Sequence, residues 1–188
     1  AKAANRLPEV FYQYLLLISP PAAIKQKVKG MKITLNRTIG LSNENLHSIA
    51  HISLVSFHSS VPMSEHTLIA MQQVFSQSTS FKISVNGFDS FEHANSSKTI
   101  YAKVEGEEPI RKIQGQLCEL FNLPLRSFVP HVSVARSIEP AIADKGLRIV
   151  QNVGLKDQFL CNKITVLERK LQNGTFSNYK VYHEIKLG

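Results

Sequence analysis

Two segments of the chain place a histidine and a serine two positions apart inside an apolar, β-branched run. In SIAHISLVSF these residues are His51 and Ser53, and in FVPHVSVARS they are His131 and Ser133. Side chains at positions i and i+2 of a β-strand point to the same face of the sheet. We therefore predict that each segment is a strand that presents one imidazole beside one hydroxyl, with aliphatic side chains on its other face.

Two such strands, brought together, would suit the cleavage of a phosphodiester without a metal ion. In-line displacement at phosphorus needs a base on the attacking oxygen and an acid on the leaving oxygen. The ordinary pKa of histidine, about 6.5, allows one imidazole to be neutral while the other is protonated. We predict that His51 and His131 are this acid and base, in an order that the sequence leaves open. The hydroxyls of Ser53 and Ser133 would donate hydrogen bonds to the non-bridging phosphate oxygens.

The same residues also have plainer explanations. A single histidine on an apolar strand is commonly a hydrogen-bonded core residue, and a serine can bond to the neighbouring backbone. The chain contains a third His-x-Ser copy at His58, which we predict to be a loop because it lacks the apolar context and runs towards Pro62. No metal site is predicted, because no carboxylate or cysteine lies within four residues of either paired motif. The nearest carboxylate in sequence, Glu139, lies beyond the second motif.

The elements that must position these motifs repeat in the same order in both halves. Periodicity, with proline and glycine signals, predicts a strand, a helix, the histidine strand, a helix and a strand. The predicted segments are 11–19, 21–30, 48–57, 64–77 and 81–88, then 99–106, 107–122, 128–137, 139–152 and 159–170. An Asn-Gly turn and a closing strand follow within 173–187. This order predicts a duplicated α+β unit with a pseudo-twofold axis, whose matching strands meet across a cleft.

Local signals refine this outline. Pro21 suits the first turn of a helix that we expect to stop at Gly30, and Ser64 suits the N-cap of the next helix. Cys118 is predicted on a helix and Cys161 on a strand, without the spacing of a metal site, so both are expected to be reduced, buried side chains.

The composition is typical of a globular protein, with 188 residues, 43% hydrophobic and 19% charged. We expect one two-lobed domain over 1–188, with a flexible lead at 1–10. The net charge of +8 suits an anionic partner such as a nucleotide or RNA, although a merely basic surface explains it as well. The longest apolar stretch near the N-terminus, YLLLI, is too short to span a bilayer. We therefore expect a soluble, cytoplasmic monomer without a membrane partner.

The paired motifs, the FVPHVSVAR segment and the order of the elements resemble the two-histidine (2H) phosphoesterase superfamily. Within it, the chain is most similar to the bacterial 2′-5′ RNA ligase and RNA 2′,3′-cyclic phosphodiesterase branch, from about Phe11 to Leu187. The resemblance implies a bilobal α+β fold with two antiparallel sheets facing a central cleft and helices outside. It also implies acid/base catalysis by His51 and His131, without metal or another cofactor, on RNA or a nucleotide that carries a cyclic phosphate.

Further site residues follow only from this resemblance. Ser53 and Ser133 occupy the places of phosphate-binding hydroxyls, where many relatives have threonine. Arg136 matches a frequent basic residue after the second motif, whereas Ser56 stands at the corresponding place after the first. The GTFSNYKVY segment resembles the family's C-terminal strand, which makes Tyr179 a candidate for stacking on a base or ribose.

Three classes of function remain open at this point. The first is a metal-independent cyclic phosphodiesterase, which could run in reverse as a 2′-5′ RNA ligase. The second is an RNA- or nucleotide-binding module that keeps the cleft without turnover, with the basic KQKVKGMK segment following a phosphate backbone. The third is a structural protein in which the histidines are buried.

Overall fold

The structure is a computed structural model that describes residues 10–188. The flexible lead predicted at 1–10 lies outside these residues except for Val10, with which the first strand begins. The elements are β1 (Val10–Ile18), α1 (Ala22–Ile39), α2 (Asn43–His47), β2 (Ile52–Ser59), α3 (Glu65–Ser76), β3 (Phe81–Glu92), β4 (Lys98–Glu105), α4 (Glu107–Leu120), β5 (His131–Ile138), α5 (Pro140–Val153), β6 (Lys156–Cys161), β7 (Lys163–Gln172), β8 (Thr175–Phe176) and β9 (Lys180–Lys186). The predicted order of each half is confirmed, with the short helix α2 added before β2.

The strands of the described chain form two antiparallel sheets, which confirms the α+β class. The first sheet has the order β2-β1-β7-β8, and β9 also pairs with β7; the second has the order β5-β4-β3-β6. In each sheet the strand that carries the His-x-Ser motif, β2 or β5, is at the edge, beside the first strand of its half. The next strand along is β7 in one sheet and β3 in the other. The two sheets therefore share one strand order, as a duplicated unit requires.

Internal contacts divide the chain into two compact units. One comprises 10–17, Leu54–Ser80 and Asn162–Gly188, and the other comprises Ile18–Ser53 and Phe81–Cys161. We call the first the α3 unit, because α3 packs against β9 within it. We call the second the histidine unit, because it contains both His-x-Ser motifs together with α1, α2, α4 and α5.

The α3 unit begins its helix as the sequence predicts. The Ser64 hydroxyl accepts a hydrogen bond from the backbone N–H of Thr67 at 3.2 Å, which makes it the N-cap. Met71 and Phe75 are fully buried on one face of α3. The predicted Asn-Gly turn is also present between β7 and β8, with both of its residues at positive φ, as a type I′ hairpin turn requires.

The histidine unit is built around α5, which contacts α1, β3 and β4. Gly146 of α5 lies where these elements come closest: a Cβ there would be 3.0 Å from the Cδ1 atoms of Ile39 and Ile100. Glycine disfavours a helix by about 1 kcal/mol relative to alanine. At this position its missing side chain allows the close packing of α5, so the helix predicted across Gly146 forms.

The first helix does not stop at Gly30, so that prediction is wrong. Helix α1 continues to Ile39, where Gly40 follows at a φ of 70°. Its buried apolar side chains recur at helical spacing on both sides of the glycine, at Ile24, Val28, Met31 and Leu35. Burying each side chain is worth about 1.5–3 kcal/mol, which outweighs the glycine penalty of about 1 kcal/mol.

The single strand predicted over 159–170 is in fact two strands in different sheets. The chain leaves the second sheet after Cys161 and enters the first at Lys163, so that β6 pairs with β3 while β7 pairs with β1 and β9. Both parts carry buried apolar side chains, which is why the sequence reads as one continuous strand across Asn162. By strand order β7, rather than β6, is the counterpart of β3.

Two further expectations concern His58 and the cysteines. His58 was predicted in a loop, but β2 extends to Ser59, so the third His-x-Ser copy begins on a strand in the α3 unit. Cys118 and Cys161 are both buried, as predicted. No helix within residues 10–188 combines the length and the hydropathy needed to cross a membrane.

Candidate active site

Five of the six predicted site residues line one pocket of about 810 Å³ in the histidine unit. They are His51, Ser53, His131, Ser133 and Arg136. The end of α1, helix α2 and the start of α5 supply the remaining walls. Among residues 10–188, no three His, Cys, Asp or Glu side chains are grouped so that they could hold a metal ion.

Alternation along the strands brings each imidazole to the pocket. Ile52 and Val132, each of which follows a motif histidine, are fully buried, whereas His51 and His131 are only partly buried. Because neighbouring side chains in a strand point to opposite faces, the histidine and serine of each motif share the pocket face. This is the arrangement that the spacing predicts.

Each histidine makes an equivalent hydrogen bond to the backbone two residues before it. The Nδ1 atom of His51 lies 2.7 Å from the carbonyl oxygen of Ile49, and Nδ1 of His131 lies 2.8 Å from that of Val129. A carbonyl oxygen can only accept, so in each case Nδ1 carries the proton and donates it. In the neutral ring, Nε2 is therefore the nitrogen with the free lone pair, which is the form a base needs.

The surroundings of His51 favour its neutral form. Burial is the main cause that lowers its pKa below the usual value, and the positive charges of Arg136, Lys32 and His131 lower it further. The hydrogen bond to Ile49 opposes these effects by raising the pKa. The net direction is downward, so His51 is the imidazole that the site keeps ready to accept a proton.

The ring of His131 packs against two aromatic side chains, one from β3 and one from β4, that also contact each other. Phe91 and Tyr101 contact it edge-to-face, with ring centroids 5.2 and 5.5 Å from that of the imidazole. Tyr101 lies directly opposite Ser133 in the β4–β5 register, so its side chain is on the same face as the second motif. These ring contacts and the hydrogen bond of Nδ1 to Val129 together hold the imidazole of His131.

A cation on the first helix of each half holds the chain just before the motif. Lys32 of α1 donates to the carbonyl oxygens of Asn45 and Ser48, both at 2.9 Å. Arg111 of α4 donates to the carbonyl oxygen of Phe128. Ser48 and Phe128 each precede a motif histidine by three residues. The repeat of this contact in both halves indicates that it positions the segments from which the histidines emerge.

Asn45 connects α2 to the strand of the second motif. Its side-chain oxygen accepts from the backbone N–H of Arg136 at 2.8 Å, and its amide donates to the carbonyl oxygen of the same residue, also at 2.8 Å. This reciprocal pair fixes the backbone of Arg136, whose side chain is exposed at the pocket. Asn45 is thus a positioning residue for Arg136.

Replacing Asn45 by aspartate should destabilise the protein by about 1–3 kcal/mol, because an oxygen then replaces the amide donor and faces the carbonyl oxygen of Arg136. Urea unfolding followed by circular dichroism measures this change. Asn43→Asp is the matched control: it adds the same charge to α2 at an exposed position. Equal midpoints for the two variants would contradict the proposed role of Asn45.

The sixth predicted residue, Tyr179, belongs to the α3 unit. Its ring stacks on the guanidinium of Arg169, with the carbon Cζ 4.5 Å from the ring centroid, and Phe176 contacts the same guanidinium at 3.9 Å. Tyr179 therefore has a packing partner within its own unit. Stacking of Tyr179 on a base or ribose stays a prediction.

Four residues that support the site were not predicted from the sequence: Lys32, Asn45, Phe91 and Tyr101. A signal existed for Lys32, because it follows buried Val28 by four residues and so falls on the apolar face of α1. Phe91 was missed because the predicted strand stopped at 88, whereas β3 continues to Glu92. Asn45 carries only a weak local signal, the capping serine Ser42 three residues earlier.

Comparisons with known proteins agree with this fold. A family model for the 2′-5′ RNA ligase superfamily matches residues 20–173, and no curated protein matches the chain. The crystal structure of TT0787 from Thermus thermophilus is similar with a TM-score of 0.64 and 15% identity, over 93% of this chain and 97% of that one. The crystal structure of Escherichia coli LigT complexed with 3′-AMP is similar with a TM-score of 0.57 and 13% identity, over 94% and 98%.

A third similar structure is Escherichia coli LigT complexed with phosphate, with a TM-score of 0.58 and 12% identity over 94% of this chain and 98% of that one. At these identities the likeness shows a shared fold. The family model covers well over half of the chain and spans both His-x-Ser motifs. The chain therefore belongs to the 2′-5′ RNA ligase superfamily of two-histidine phosphoesterases.

Proposed function

We propose that this protein opens 2′,3′-cyclic phosphates at RNA ends or on related nucleotides, with His51 as the base and His131 as the acid. The observation that carries the proposal is that two histidines line one pocket. In each of them Nδ1–H donates a hydrogen bond to the carbonyl oxygen of the residue two positions earlier. Ser53, Ser133 and Arg136 at the same pocket supply donors for a phosphate.

The proposed step needs only these side chains and a water molecule. Nε2 of His51 accepts a proton from the water as the water oxygen forms its bond to phosphorus. On the opposite side the bond from phosphorus to one ribose oxygen breaks, and that oxygen takes the proton from Nε2 of His131. The product is a phosphomonoester beside a free ribose hydroxyl. Proton exchange with solvent then returns both imidazoles to their starting forms.

The assignment of roles rests on the direction of the His51 pKa. Burial and the neighbouring positive charges lower this pKa, so His51 is the histidine available as a base in the direction of hydrolysis. A ribose hydroxyl in place of water would give ligation by the same step with the same roles, and the roles exchange when either reaction runs in reverse and the ring closes. The crystal structures of LigT with 3′-AMP and with phosphate support a nucleotide phosphate as the ligand of this fold.

The direct test offers the purified protein an RNA oligonucleotide that ends in a 2′,3′-cyclic phosphate, in buffer containing EDTA. We expect conversion to a single phosphomonoester, resolved by chromatography against synthetic 2′- and 3′-phosphate standards. Tight binding without product after long incubation would instead support the alternative, a binding module that keeps the pocket without turnover.

The pH profile tests the role of His51 and Arg136 together. A base must be unprotonated, so kcat/KM falls as the pH drops through the pKa of His51. Because that pKa is lowered, the acidic limb should lie below the ordinary histidine value of about 6.5. Arg136→Gln removes one positive charge that lowers the pKa, so the acidic limb should move to higher pH. An unmoved limb would contradict the assignment of His51 as the base.

A further inference from the structure

A second pocket adjoins the first within the histidine unit. It has a volume of about 200 Å³ and lies between α1 and the segment that leads to His51. Ser48 and Ile49 line both this pocket and the candidate active site, so the two share a wall. A substrate that extends beyond the active-site pocket therefore has this second pocket beside it.

The second pocket is basic. Lys25, Lys29 and Lys32 line it from α1, at the spacing of four and three residues that places side chains on one helix face. His47 lines it from α2, and its Nδ1 lies 2.8 Å from the carbonyl oxygen of Asn43. None of the described residues that line the pocket is acidic.

The sequence around α1 strengthens this charge. No aspartate or glutamate occurs from Val10 to Asn43, whereas five lysines and arginines do. Lys27, which does not line the pocket, forms an ion pair with Asp157 at 2.8 Å. Lys25 and Lys29 form no ion pair among residues 10–188 and are at i and i+4, where like charges disfavour the helix. An anion between them would relieve this repulsion.

Lys32 adds charge at the inner wall. It is 2% exposed, and its ammonium group is held by the carbonyl oxygens of Asn45 and Ser48. Burial lowers the pKa of Lys32 to about 8, so the group stays mostly protonated at neutral pH. Its hydrogen bonds are made within the protein, which leaves Lys25 and Lys29 as the lysines of this pocket that can reach a ligand.

We propose that this second pocket binds a backbone phosphate of an RNA substrate whose terminal cyclic phosphate occupies the active-site pocket. The inference rests on the proposed function for the identity of the ligand, and it specifies the substrate as an oligonucleotide rather than a mononucleotide. Lys25 and Lys29 contact the phosphate, and the shared wall of Ser48 and Ile49 separates it from the reacting nucleotide.

The test measures binding rather than turnover. A fluorescent RNA oligonucleotide with a 3′-terminal phosphate is titrated by anisotropy at several salt concentrations, with the unmodified protein and the Lys25→Gln/Lys29→Gln variant. Each phosphate contact of single-stranded RNA contributes about 0.7 to the slope of log affinity against log salt. Loss of the contact with this one backbone phosphate should reduce that slope by about 0.7 and weaken binding about tenfold at moderate salt.

The control variant Lys112→Gln/Lys145→Gln removes the same charge from exposed positions that line neither pocket. If both double variants change the slope and the affinity equally, the effect is one of net charge and the proposal is wrong. The outcome is separate from the proposed activity. If only the Lys25→Gln/Lys29→Gln variant loses binding and the unmodified protein shows no turnover, the proposed activity is wrong and the proposed phosphate site stands. If the protein turns over the cyclic phosphate but this variant binds RNA as the unmodified protein does, the proposed phosphate site is wrong and the activity stands.

Discussion

Replacing His51 or His131 by alanine should lower kcat on an RNA 2′,3′-cyclic phosphate by about 10²–10⁴, because a positioned acid or base contributes a factor of that size. The two losses should not add fully in the double variant, since base and acid act in the same step. Initial rates from chromatographic separation of cyclic and opened phosphate give kcat for each variant.

His58 provides a matched control for this experiment. It begins the third His-x-Ser copy, but it is exposed on β2 and lines neither pocket. His58→Ala should therefore retain the rate of the unmodified protein. Unchanged rates in the His51 and His131 variants, with circular dichroism spectra like that of the unmodified protein, would remove the basis of the proposed mechanism.

Removing both motif hydroxyls should have an effect of similar size. A hydrogen bond to a charged group is worth about 1.5–3 kcal/mol, which corresponds to about 10- to 100-fold per hydroxyl. Ser53→Ala/Ser133→Ala should therefore lower kcat/KM by about 10²–10⁴. Because the hydroxyls donate to the phosphate, inorganic phosphate should also become a weaker competitive inhibitor of the variant.

The Ser53→Thr/Ser133→Thr variant separates the hydroxyl from other effects of substitution. Threonine keeps the donor and suits a strand, so this variant should retain most of the activity. If the threonine and alanine variants lose the same activity, the loss reflects packing at the strand, and phosphate binding by the hydroxyls is refuted.

Local patterns predicted most of the elements because their signals are short in range. Proline at a first helical turn, a capping serine at Ser64 and an Asn-Gly turn each act within a few residues. The errors came where packing outweighed such signals. Gly30 was expected to end α1, but apolar side chains on both sides of it are buried on one face.

Sheet membership lay beyond these patterns for a related reason. Apolar residues continue on both sides of Asn162 as in a single strand, yet β6 pairs with β3 and β7 pairs with β1. Alternation depends on which face of a strand is buried, and it carries no information about the partner strand. The identity of β7 as the counterpart of β3 therefore emerged only from the pairing.

The side chains that support the candidate site were hidden for the same reason. Asn45 bonds to the backbone of Arg136, 91 positions away in the chain, and Phe91 and Tyr101 contact His131 from other strands. Each of these three residues acts on the site through a contact with a segment that is distant in the chain. Nothing in the residues adjacent to them in sequence indicates these partners.

The sequence by itself determined the chemistry: two copies of an imidazole beside a hydroxyl, each on a segment whose alternation directs both groups to one face. The tertiary structure alone decided that both copies line a single pocket and that Nδ1 of each ring donates a hydrogen bond to a carbonyl oxygen. It also decided that His51 is the imidazole whose surroundings favour the neutral form. The physical reason is one of range. Side-chain direction is set by neighbouring backbone torsions, whereas desolvation and charge depend on whatever the fold brings near.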